Sequence, residues 1–237
     1  NVEGFKGGDR TSIELPKAQR DMIAMLKEAG KKVIFINCSG SAIALEPESR
    51  NCEAIMQAWY GGERGGEAVA DILFGDYNPS GKLPITFYKN DSQLPDFEDY
   101  KMAGRTYRYF KGEPLFKFGH GLSYTTFEFS KPKYDKKSGK VSVKVKNTGK
   151  MDGDEVVQVY LRNTADAEGP IKTLRAYKRV TLKAGETKTV EIDFPRNSFE
   201  CWDVSTNTMR VMSGTYEIMV GNSSDDASLK KFIVKVN

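Results

Sequence analysis

PKAQRDMIAMLKEAGKKVIFINC, residues 16–38, decides the fold class of the first part of the chain. Pro16 suits a first helical turn, and Met22, Ile23, Leu26 and Ala29 recur at helical spacing until Gly30 stops the run. Residues 32–38 then carry Val33, Ile34, Phe35 and Ile36 in succession, the signature of a strand buried on both faces of a parallel sheet. A helix feeding such a strand predicts an α/β domain.

Working outward, the pattern repeats. Residues 54–60 predict a second buried strand, 61–66 a glycine-rich loop, and 67–74 a helix ended by Gly75. A dense turn signal at 76–81 precedes a third strand at 83–87. Residues 1–88 are thus expected to form the α/β domain. Residues 89–124 show no sustained period and read as a connector. Its aromatics Tyr107, Tyr109, Phe110, Phe116 and Phe118 predict that it packs across domain surfaces, because a free linker would be polar.

After residue 124 the period becomes two. Val141, Val143 and Val145 alternate with polar residues, as do Val190, Ile192 and Phe194, and again Tyr216, Ile218 and Val220. Turn residues at 147–149, 183–185 and 213–214 separate these runs, and about seven strands fit into 125–237. The expectation is an all-β sandwich of immunoglobulin-like architecture.

Composition narrows the function. The 237 residues are 39% hydrophobic and 29% charged, enough apolar material for packed cores. No apolar run reaches the roughly 18 residues of a membrane span. The formal charge of +4 arises from interspersed residues of both signs, and the lysines of 131–150 alternate with strand valines. That pattern predicts a solvated strand face and no nucleic-acid partner. Cys38, Cys52 and Cys201 cannot all pair within the chain and are read as free thiols. A single histidine, His120 in a glycine-rich turn, excludes a multi-histidine metal site and suits a structural role. Neither a metal nor another cofactor is expected. The opening residues, Asn1 to Gly4, read as though cut from a longer chain, so targeting information is expected upstream.

Two loops invite a chemical reading. Residues 61–66 lie between a strand and a helix but match no nucleotide fingerprint, and Glu63 and Glu67 would repel phosphate. Close packing of a helix on a sheet is the favoured reading there. Residues 3–10 could bring Glu3, Asp9 and Arg10 near a ligand, although on composition alone a solvated loop is the favoured reading.

Four stretches carry a resemblance: GGDRTSIELPKAQ (7–19), QAWYGGERGGEAVADILFGDYNPSGKLPITF (57–87), FKFGHGLSYTTFEFS (116–130) and NTGKMDGDEVVQVYL (147–161). The first three resemble signature segments of glycoside hydrolase family 3. The fourth is similar to the fibronectin type III-like domain that ends many members. INCSGSAIAL (36–45) and AWYGGERGG (58–66) look closer to bacterial β-xylosidases and β-glucosidases than to β-N-acetylhexosaminidases.

The resemblance implies a catalytic (β/α)8-like barrel upstream in the same polypeptide and an oligosaccharide substrate. It implies a retaining mechanism in which a barrel aspartate is the nucleophile and a glutamate near this chain's start is the acid/base. Glu3 is the one residue at a matching position, the alternative being a glutamate upstream of Asn1. Asp9 and Arg10 fit the family's GDR stretch, as sugar contacts or as a loop anchor. The chain alone is expected to be inactive, and the full-length protein to be periplasmic or secreted. A non-catalytic carbohydrate-binding or adhesion module is the competing expectation.

Overall fold

The computed structural model describes residues 10–237; Glu3 and Asp9 lie outside them. The α/β part holds α1 (Lys17–Glu28), β1 (Ile34–Asn37), α2 (Glu46–Asn51), β2 (Ala54–Gln57) and α3 (Gly65–Phe74). β1 and β2 pair in parallel, from Ile34 opposite Ala54 to Asn37 opposite Gln57. Leu15, Ile23, Ile43 and Leu45 form the core here, with Phe35, Cys52 and Ile55 packed against it.

Several local expectations fail. β1 is covered on one face only among the described residues: Phe35 meets the core, whereas Ile34 and Ile36 are exposed. Of the apolar stripe on α1 only Ile23 is buried, and no residue of α3 is. The second strand stops at Gln57, two residues before Trp59 takes a left-handed φ of 55°. Residues 83–87 join no sheet. They run beside residues 115–120 instead, through Leu83 N–H to the His120 carbonyl at 2.8 Å and an isolated bridge between Phe87 and Phe116. The segment read as a connector also holds a short helix, α4 (Thr106–Tyr109).

The remainder is a sandwich of two antiparallel sheets. One has the order β11-β10-β5-β6, with β5 at Gly153–Asn163, β6 at Thr173–Leu182, β10 at Gly214–Gly221 and β11 at Lys230–Val236. The other is β3-β4-β7, at Phe127–Asp135, Lys140–Asn147 and Thr187–Asp193. Seven strands therefore make the sandwich. A separate ribbon of β8 (Glu200–Asp203) and β9 (Thr208–Val211) carries exposed Trp202 and Met209 directly opposite one another. Between the sheets, the alternating residues of β4, β7 and β10 meet Val157, Val159 and Leu161 of β5 in one core. Pro132 falls where the β3–β4 register shifts, on an edge strand, where a missing N–H costs no ladder bond.

β5 is covered on both sides. Tyr160, with Met219 and Leu229, faces away from the sandwich core and packs against Tyr107 and Phe118. Tyr107 stacks on Phe118 with centroids 4.2 Å apart and meets Tyr160 edge-on. Tyr107 Oη accepts from Leu174 N–H, and Ile171 N–H donates to the Arg108 carbonyl. A buried ion pair, Lys82 Nζ to Glu155 Oε1 at 2.9 Å, joins the turn before residue 83 to β5.

Candidate functional site

The parallel strands β1 and β2 end together, on the polar residues Asn37 and Gln57. Ligands bind outside the carboxyl ends of strands in open α/β sheets. Here Asn37 Nδ2 donates to Gln57 Oε1 at 2.6 Å and to Ser39 Oγ at 3.0 Å. Gln57 Nε2 reaches Ser39 Oγ at 3.2 Å, and Ser39 Oγ donates to the Ser41 carbonyl. Asn37 and Ser39 are buried, so these bonds offset the cost of taking amide and hydroxyl out of water.

Arg10 joins this edge from outside. Its Nη2 donates to Ser41 Oγ at 2.7 Å, and Ile13 N–H donates to Asp91 Oδ1, fixing the chain that leads from it. Two aromatics border the cluster. Trp59 sits edge-on to Phe87, and Tyr60, 77% exposed, lies over Gly40 so closely that a Cβ there would stand 2.9 Å from its ring. A non-glycine residue at positive φ is a strained feature of the kind that gathers at functional edges.

The set comprises two amides, two hydroxyls, one guanidinium and two aromatic rings. It can hydrogen-bond sugar hydroxyls and offer a ring face, and it holds no group able to act as nucleophile or acid/base for a glycosidic bond. Asn37, Ser39 and Gln57 escaped the sequence reading. Their signal was a polar residue placed directly after each apolar run.

The other sequence candidates lie elsewhere. His120 stacks on Phe116, and burial, aided by Lys82, pushes its pKa below the ordinary value. The 61–66 loop folds on itself, with Gly65 N–H bonded to the Gly62 carbonyl and Arg64 paired with Glu67. Among the described residues no cluster of three or more His, Cys, Asp or Glu could hold a metal ion, and no helix is long and apolar enough to cross a membrane.

Comparison with known proteins fits this arrangement. Residues 1–124 match the glycosyl hydrolase family 3 C-terminal domain, and residues 155–224 match the fibronectin type III-like domain. A xylan 1,4-beta-xylosidase of Xylanibacter ruminicola is 58% identical over 99% of this chain and 28% of its own length. A periplasmic beta-glucosidase of Salmonella typhimurium is 37% identical over 90% of the chain and 32% of its own length. The crystal structure of a beta-glucosidase from Streptomyces venezuelae in complex with D-glucose superposes with a TM-score of 0.86 at 34% identity, over 98% of this chain and 32% of that one. The chain thus spans about a third of the length of the relatives it matches. An α/β domain, a fibronectin-like sandwich and likeness running through both place this chain in glycoside hydrolase family 3, of whose members it represents the C-terminal region.

Proposed function

We propose that the whole protein is a retaining β-glycosidase that releases terminal β-linked xylose or glucose from oligosaccharides, with xylosides the better substrates. The likeness to a xylan 1,4-beta-xylosidase, 58% over nearly the entire chain, carries the reading. In this scheme an aspartate outside the chain attacks the anomeric carbon and forms a glycosyl-enzyme. A glutamate first protonates the departing oxygen and then deprotonates the incoming water. Glu3 is the candidate for that glutamate within the chain, with a residue upstream of Asn1 as the alternative. Arg10 and the polar edge at Asn37, Ser39 and Gln57 supply hydrogen-bonding groups for the sugar.

The test uses the whole enzyme. Aryl β-xylosides should be hydrolysed faster than aryl β-glucosides. If Glu3 is the acid/base, Glu3→Ala should slow poor leaving groups far more than activated ones, and azide should restore turnover by supplying a nucleophile that needs no base. Equal rates on both substrate classes would move the role upstream. Absence of all glycoside hydrolysis would favour a binding or adhesion module.

A further inference from the structure

A cavity of about 260 Å³ opens where α4 and the turn after it lie against the β11-β10-β5-β6 sheet, well apart in sequence from the edge at Asn37 and Gln57. Its apolar wall is Tyr107, Phe110 and Phe118. Lys172 forms part of the opposite wall and is only 4% exposed. Its Nζ donates to the Ser224 carbonyl and to Asp226 Oδ1, both at 2.9 Å, leaving one ammonium proton for a third acceptor. Thr86 also lines the space, and its buried Oγ1 has no hydrogen-bond partner among the described residues. Buried hydroxyls are nearly always bonded, so an unpartnered one marks a place where a partner belongs.

The carboxylates around the cavity are all engaged by lysines. Lys172 faces Asp226, and Lys117 faces Glu113 at 2.9 Å and Asp225 at 3.6 Å. Lys111 also lines the space and Lys231 shares Asp226, so a metal cation would find no excess of negative charge, and inorganic phosphate is the competing ligand. Aromatic surface opposite donors and acceptors that are already ionised suits a small neutral ring rich in hydroxyls, whose polar edge takes charge-assisted bonds while its C–H face lies on the rings.

We propose that this cavity is a second saccharide site, holding one sugar unit between the α4 segment and the sandwich. The choice of a sugar over another polyol rests on the glycosidase reading of the whole protein. In the bound state Thr86 turns about χ1 and its hydroxyl meets the sugar, while Lys172 donates its remaining proton.

Titration of the isotopically labelled 237-residue chain with xylose, xylobiose and glucose, followed by amide chemical shifts, tests this. Saturable shifts should centre on residues 107–118, 171–172 and 224–226. Thr86→Val removes the unpartnered hydroxyl at nearly constant shape; its melting temperature should hold or rise while sugar affinity falls about fivefold. Glu113→Trp, at a side chain 75% exposed on the cavity wall, should abolish the shifts with the fold intact, since Lys117 keeps Asp225. Shifts with inorganic phosphate but no sugar, sugar shifts located elsewhere, or unchanged binding in both variants would overturn the proposal. Binding is read on this chain and hydrolysis on the whole enzyme, so each reading can fall without the other.

Discussion

Asn147 is fully buried and uses its whole hydrogen-bonding capacity. Its Oδ1 accepts from Thr125 Oγ1 and Gly149 N–H, and its Nδ2 donates to the carbonyls of Met151 and Leu182. It thereby ties the end of β4 to the start of β3, the next turn and the end of β6. Asn147→Ala should cost about 3 kcal/mol in urea unfolding, because several groups lose partners in a dry site. Asn147→Asp should be no milder, since a carboxylate would face two carbonyls without a proton to offer. A second residue gives a pH signature. His120 is the sole histidine, and its folded pKa lies below the ordinary 6.5 through burial and the neighbouring Lys82, with Asp225 opposing. As pH falls, the unfolded chain takes up this proton before the folded chain does. The stabilisation is therefore full above 6.5 and is lost as pH falls through the folded value. Carboxylates held below their usual range, such as Asp135, Asp203 and Asp226, act only in more acid solution. His120→Gln should flatten the stability profile just below pH 6.5, as measured by denaturation across a pH series.

Among elements, the strip at 115–121 depends on glycine twice. Gly119 has φ of 80° and a Cβ on it would collide with the Gln158 amide, while a Cβ on Gly121 would collide with the Gly81 carbonyl. Gly121→Ala should detach this strip from residues 81–83 and lower stability by about 2–4 kcal/mol, visible as faster exchange of the Leu83 and Gly119 amides. The sandwich strands were legible in the sequence because Val141, Val143, Val145, Tyr216 and Ile218 obey a local period that the core then uses. The strip was not: residues 83–87 have the composition of a strand, but their partner is an irregular stretch some thirty residues later, which no local period reveals. The same holds for the polar edge, since Asn37 and Gln57 become neighbours only when β1 and β2 pair. Arg10 was marked by its glycine-rich loop and by the resemblance, and Trp59 was read as strand because an aromatic residue carries no hint of positive φ.

At the scale of the molecule, the α4 segment fastens the two halves. Tyr107, Phe118, the Lys82–Glu155 pair and the Asn78 amide bonded to the Asp152 carbonyl all cross between residues before 125 and the sandwich. Tyr107→Ala should open residues 105–121 to limited proteolysis while leaving the strand amides of the sandwich protected, because the two surfaces of β5 are covered independently. The isolated chain should turn over neither aryl β-xylosides nor aryl β-glucosides, as the proposed nucleophile lies outside it. Turnover that vanished on mutating a residue of this chain would contradict that assignment.

The double cover on β5 also sets an order of events during synthesis. Tyr107 and Phe118 leave the ribosome first, yet the surface they settle on is built from Tyr160, Met219 and Leu229, the last two close to the chain's far end. At cellular elongation rates of 5–20 residues per second they wait about 5–20 s with their rings in water. The aromatic part of the fastening therefore closes only once β10 has emerged, and a chain stalled before β10 keeps an aromatic segment exposed to proteases and to chaperones that bind such surface.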